Sequence, residues 1–210
     1  ADADYMKLYY IPTIETKLEY CLNNFKNPDE ETKVKLEASL DLLRTEITKE
    51  LNYIGNDKFS RIEDLYLINF DSTLYQDAMK FLETLRKFYV NRYNKADALK
   101  EQKIQKLINT PKKKAEFDLL KSTYFNESVA ELVKNQNEQH RIIEQDGTLV
   151  RKIFPIYMTP HPHNNFDFRD QFYVPQKHFM GRHFDTFYFN MYVIWMMTIV
   201  LMVTLYFDVL

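Results

Sequence analysis

Glycine is nearly missing from this sequence. The three present, Gly55, Gly147 and Gly181, are too few for glycine-rich phosphate loops, dinucleotide-binding crossovers or a turn-rich β-sandwich. Cysteine is scarcer still. Cys21 stands alone, which excludes an intrachain disulfide and a cysteine zinc site but does not fix the compartment. Neither sign of charge is in excess: 28 Lys and Arg face 30 Asp and Glu, so bulk electrostatics does not point to a polyanion, and nucleic acid is not an expected partner. Gly-x-Ser-x-Gly, His-Glu-x-x-His and Walker A patterns are all lacking, so this polypeptide is not expected to be an enzyme by itself. The chain begins at Ala1 with no signal peptide after it, and the expectation is a piece of something longer.

What is present is unevenly spread. Hydrophobic residues make up 45% and aromatics 15%, too much for a disordered chain. The mean hydropathy of -0.46 averages two unlike regions. From Thr186 to Phe207 no residue is charged. About 20 apolar residues rising ~1.5 Å each cross the ~30 Å hydrocarbon slab of a bilayer. Tyr188, Tyr192 and Trp195 towards one side, with Tyr206 and Phe207 at the other, read as membrane-interface residues, because rings with polar tips favour headgroup level. Asn190, Thr198 and Thr204 are the polar interruptions.

The first 140 residues read as helices. Pro12 suits a first turn, and Ile14, Leu18, Cys21, Leu22 and Phe25 follow at helical spacing. Cys21 on that stripe reads as core, not nucleophile. Asp29, Glu30 and Glu31 mark the next helix start. Its seam is Leu36, Leu40, Leu43, Ile47, Leu51 and Ile54, closed by Gly55. Ser60 with Glu63 forms a capping box before Leu65, Leu67 and Ile68. A long helix is predicted from Asp71-Ser72 towards Ile108, with a stripe through Leu74, Ala78, Phe81, Leu85, Phe88, Tyr89, Tyr93, Ala96 and Leu99. The 36–54 stripe is its expected packing partner, so that Leu36, Leu40, Leu43 and Ile47 meet Phe81, Leu85 and Phe88 in an antiparallel hairpin. Thr110-Pro111 starts another helix, with Phe117, Leu119 and Leu120 as its apolar face. Lys112, Lys113 and Lys114 read as a solvated face. Asn126 caps a short helix with Val129, Leu132 and Val133 inward.

After residue 140 the pattern changes. Asp146-Gly147 between two β-prone runs predicts a hairpin over 141–152, because a type I′ turn needs positive φ twice. Residues 154–186 combine four prolines with many Phe and Tyr, which suits a segment held at a membrane interface. His161 and His163 form a weak candidate metal pair that His178 and His183 would have to complete, but the latter two are five apart and off one helical face. The expected fold is mainly α: a helical hairpin or bundle over 1–140, a small β-hairpin and an interfacial segment over 141–186, and one transmembrane helix over 187–207.

Three stretches carry a resemblance. Lys177–Asn190 with Val193–Met197 and Thr204–Leu210, Leu85–Ala96, and Tyr124–Val133 with Val150–Tyr157 resemble the C-terminal region of large bacterial exporters, common in Bacteroidota, that fuse an ATP-binding cassette to an ABC-2-type permease. The resemblance covers most of the chain, and none of its strings is a catalytic motif. It implies that residues 1–185 are an extracytoplasmic insertion on the periplasmic side of the bacterial inner membrane, with re-entrant elements within 154–186, and that 187–207 are the last permease span. The partners it implies are the bilayer, other permease helices and the cassette of the same transporter, with a homodimer as the parent. ATP and Mg would bind elsewhere in that parent, and no cofactor is expected in this chain. Two competing readings are a tail-anchored adaptor with a cytosolic bundle, and a soluble scaffold whose apolar tail is a core helix. Lys177 and Arg182 before the span favour a cytosolic residues 1–185 by the positive-inside bias.

Overall fold

The computed structural model describes residues 1–158, 165 and 173–207. It is mainly helical, with two small hairpins and one long apolar helix near the end. Two compact units emerge. One is Ala1–Asn126 with Glu138–Lys152; the other is Glu127–Asn137 with Ile153–Leu210.

The first unit is built around its N-terminal helix. Helix α1 (Asp2–Tyr5) runs through a π turn at Met6–Tyr10 into α2 (Ile11–Asn24) without leaving helical dihedrals. The sequence reading starts this helix only at Pro12, and the difference has a cause. Proline at 12 cannot donate to residue 8, and its ring crowds that carbonyl. Widening the preceding turn to i→i+5 bonding, as in the Ile11 N–H donating to the Met6 carbonyl, relieves both and lets the helix pass through.

Helix α3 (Glu30–Ile54) starts where the acidic run places it, with the Asp29 carboxylate accepting from the Thr32 N–H at 3.1 Å. Gly55, at φ 115°, ends it, and a Cβ there would sit 2.7 Å from Asp57 Oδ1. Helix α4 (Ser72–Leu107) is capped by Asp71, which accepts from the Leu74 N–H at 2.6 Å. At ~1.5 Å per residue it is a rod of about 54 Å.

The seams predicted from spacing supply the core. Ile14, Leu18 and Cys21, Leu36, Leu40, Leu43 and Ile47, and Leu74, Ala78, Phe81 and Leu85 are all buried. Their arrangement differs from the expected two-helix hairpin. Helix α2 packs on both α3 and α4 and is the shared partner, while α3 and α4 meet through long side chains, Tyr53 with Phe88 and Arg92, and Glu50 with Tyr89. Phe88 is at the rim, 38% exposed, with its ring edge-on to Tyr53 of α3 at 6.0 Å. Tyr93, Ala96 and Leu99 do not continue the core: from Val90 onward α4 has no buried residue. The capping box at Ser60 does not start a helix. Residues 56–70 form short 3-10 turns and bends, in which Phe59, Leu65 and Phe70 are buried while Ile68 points out. Three anchors spaced 5–6 apart fit a loop laid over a core, not a helical stripe.

Helix α5 (Pro111–Tyr124) begins at its Thr110 cap as read, but Leu119 and Leu120 are exposed. Strands β1 (Ile142–Gln145) and β2 (Thr148–Arg151) form the expected hairpin, with Asp146 and Gly147 both at positive φ. It belongs with the helices of the first unit, so the expected division at 140 falls inside a compact body. The reason is polar: Lys17 of α2 pairs with Glu144 at 2.7 Å, and Arg151 pairs with Asp2 at 2.6 Å.

In the second unit, α6 (Glu127–Lys134) leaves Val129 and Leu132 more than half exposed instead of facing inward. A second hairpin, β3 (Gln176–Phe179) and β4 (Arg182–Asp185), turns at Met180 and Gly181, again both at positive φ. It leads into α7 (Thr186–Tyr206).

The central position of α2 yields a test. Leu18→Ala should lower the unfolding free energy of the first unit by about 2–5 kcal/mol in a denaturant titration, whereas Leu99→Ala should stay within ~0.5 kcal/mol of the parent. Equal losses would mean that the distal half of α4 is packed after all.

Candidate functional site

Helix α7 is the feature with the clearest functional content. Its 21 residues contain a window of mean hydropathy 1.7 with no buried residue, so it is long and apolar enough to cross a membrane by length and composition. A core helix would be covered by its own chain, and this one is not. Its polar side chains are provided for locally: the Thr198 hydroxyl donates to the Ile194 carbonyl and Thr204 to Leu201, each at 2.9 Å, so neither needs water.

The hairpin is fused to the start of this helix without a linker. Asp185 is the last residue of β4 and also the N-cap, accepting from the Phe187 N–H at 2.9 Å. The Thr186 N–H donates to the Pro175 carbonyl at 3.0 Å, and its hydroxyl donates to the Val174 carbonyl. Phe179 and Phe184, one from each strand, lie 5.9 and 6.3 Å from the ring of Phe189. An aromatic clamp therefore holds the first turns of α7 against the hairpin.

The interface residues read from sequence separate into two groups. Tyr188, Tyr192, Tyr206 and Phe207 are all exposed and sit towards the two ends of α7. Trp195 does not belong with them. It lies about 14 Å from one end of the helix and about 17 Å from the other, near its middle, where a helix crossing a bilayer would meet hydrocarbon and not headgroups.

The histidines need a second correction. His178 and His183 are direct cross-strand partners in the second hairpin, with rings 5.5 Å apart in an edge-on pair. The spacing of five, which excludes a shared helical face, is what a two-residue turn places opposite. No group of three His, Cys, Asp or Glu that could hold a metal occurs among the described residues. His161 and His163, with Asp167 and Asp170, lie outside the described residues.

The first unit also holds a buried polar network that motif reading does not announce. Glu46 of α3 is 2% exposed. Its carboxylate accepts from the Tyr10 hydroxyl at 2.8 Å, the Lys49 ammonium at 2.7 Å and the Leu149 N–H of β2 at 2.9 Å. It thereby bolts the N-terminal helix and the first hairpin to α3. One helical turn on, Glu50 accepts from the Tyr89 hydroxyl of α4 at 2.8 Å. Arg151 stacks over the Tyr5 ring at 4.2 Å while reaching Asp2. Glutamates at i and i+4 on a seam with Leu43, Ile47 and Leu51 could have marked this, since charged residues rarely sit beside a core stripe without partners.

Burial pushes the Glu50 carboxyl up to about 7, aided by the neighbouring Glu46 and Asp2 charges, while the Tyr89 hydrogen bond and Lys49 pull it down. Burial and the adjacent glutamates raise Tyr10 and Tyr89 well above the ordinary phenol range. Cys21 is pushed up to about 11 by burial, so it remains a thiol near neutrality, in keeping with a core role. Because the folded Glu50 holds its proton to higher pH than the unfolded chain does, its contribution to stability is full below about pH 4 and is lost as pH rises through about 7. Stability measured from pH 5 to 8 should therefore fall less in Glu50→Gln than in the parent; identical slopes would show that Glu50 is not desolvated.

No protein-family model matches the chain, and no curated protein and no solved structure matches it.

Proposed function

We propose that this chain is the extracytoplasmic helical domain and last membrane span of an ATP-driven ABC-2-type exporter. In this reading α7 lies in the bacterial inner membrane against other permease helices, and residues 1–185 stand on the periplasmic side. The observation that carries it is the junction at Asp185. The stretch Lys177–Asn190, which resembles the exporter family, coincides with the second hairpin and the first turn of α7. A folded element joined rigidly to an apolar helix is what a permease needs at the mouth of its exit path, where a flexible tether would leave the helix end unpositioned.

Under this proposal the chain does not hydrolyse ATP. Its three glycines are all at positive φ, and Gly55, Gly147 and Gly181 each serve a helix stop or a two-residue turn, so none is left to cradle a phosphate. ATP and Mg belong to the cassette of the parent protein, which is taken to be a homodimer. The contribution of this piece is mechanical: the hairpin sets the level at which α7 enters the bilayer.

The tail-anchored adaptor with a cytosolic bundle is favoured by one observation. Lys177 and Arg182 precede α7, and the positive-inside bias puts such residues on the cytosolic side. One experiment separates the two. With Lys33, an exposed position near the start of α3, changed to cysteine in the membrane-bound protein, a membrane-impermeant maleimide should label it from the periplasmic face of intact cells. Labelling confined to inverted vesicles would replace the exporter reading with the adaptor.

A further inference from the structure

The distal half of α4 and the whole of α5 form an arm with an unusual surface. Residues 91–125 carry nine cations, namely Arg92, Lys95, Lys100, Lys103, Lys106, Lys112–Lys114 and Lys121, against four carboxylates. Since the whole chain is at -2, the arm is a positive extension on an otherwise acidic chain. Among the described residues Lys100 is the one cation of the nine held in an ion pair; Arg92 donates to the Tyr53 hydroxyl. Among the described residues no carboxylate holds the remaining lysines.

The same arm exposes apolar side chains that nothing covers. Leu99 and Leu107 are each 58% exposed, and Leu120 and Tyr124, with Phe117 at helical spacing before them, continue into Phe125. Neither helix has a buried residue along this length. Unpaired lysines beside exposed leucine and aromatic rings suit a surface that offers negative charge and hydrocarbon together. An acidic protein would answer the charge, but leucine and phenylalanine would still need matching pockets. An anionic bilayer answers both without them, because its headgroups meet the lysines and its acyl boundary takes the rings.

We propose that residues 91–125 are a second membrane contact, a basic arm with exposed apolar side chains that rests on an anionic lipid surface. For the nearness of lipid it relies on α7 being in a bilayer; the contact itself rests on the arm's own charge and exposure. The consequence is a chain held at two places, by insertion at α7 and by adsorption at the arm.

The sole tryptophan, Trp195, reports α7 independently of the arm. Full-length chain carrying Tyr124→Cys is labelled with a polarity-sensitive maleimide dye, since Cys21 is fully buried. It is mixed with vesicles of phosphatidylcholine alone or of phosphatidylcholine with phosphatidylglycerol. The dye should shift to the blue only with the anionic lipid, and the shift should be lost in high salt and in the Lys112→Glu, Lys113→Glu, Lys114→Glu variant. A water-like dye in both vesicles with Trp195 emission shifted to the blue overturns the arm and spares the span. A shifted dye with a water-like Trp195 does the reverse. Both unshifted sinks both. A dye shift indifferent to lipid charge, or one that follows protein concentration, assigns the arm to self-association and overturns its role as a lipid contact. Far-UV circular dichroism of the triple variant confirms that its helices persist.

Discussion

Covering α7 is the constraint on which the other features depend. Twenty-one residues with no charge, and with no burial among the described residues, carry a standing cost in water, since each apolar side chain left wet forfeits about 1.5–3 kcal/mol. The helix is equipped for the alternative. Its threonine hydroxyls bond back to its own carbonyls, Asp185 caps its first turn, and its tyrosines stand towards the ends. Hydrocarbon tolerates a helix because all its backbone groups are satisfied within it, and the clamp of Phe179 and Phe184 on Phe189 ties the first turns of the helix to a folded hairpin.

The helical unit meets a different requirement. Its core is a shared interface of α2 with two longer helices, and its unity comes from buried polar bonds. Glu46 links the N-terminal helix, α3 and the first hairpin through one carboxylate. A buried charge with three donors fixes orientation in a way that leucine against leucine does not, at the cost of desolvation. Its neighbour Glu50 accepts from the Tyr89 hydroxyl, and burial pushes its carboxyl up to about 7.

Periodicity made the helices of the first unit readable, since the seam 36–54, the start at Asp71 and the cap at Thr110 rest on local rules that tertiary context rarely overrides. The Asp146-Gly147 hairpin was readable for the same reason. The second hairpin is hidden because Met180-Gly181 lacks an Asn or Asp to announce positive φ, and because a spacing of five between histidines carries no signal on a helix while it pairs them across a two-residue turn. The first turns of the N-terminal helix were hidden by Pro12, whose usual meaning is a start; a π turn let the helix pass through it. Leu99, Leu119 and Leu120 show the opposite error. Spacing reveals that a stripe exists but not whether anything packs on it. Glu46 and Glu50 were missed because a glutamate on a seam reads as its solvated edge until its partners, distant in sequence, are placed beside it.

The most direct measurement of the central claim is alkaline extraction of membranes bearing the parent chain or Val200→Arg. A charge in the span costs about 2.5–3.5 kcal/mol on insertion scales. The parent should remain with the lipid while the variant moves towards the soluble fraction. Equal partition of the two into the soluble fraction, or no difference between them, would contradict a helix held in hydrocarbon.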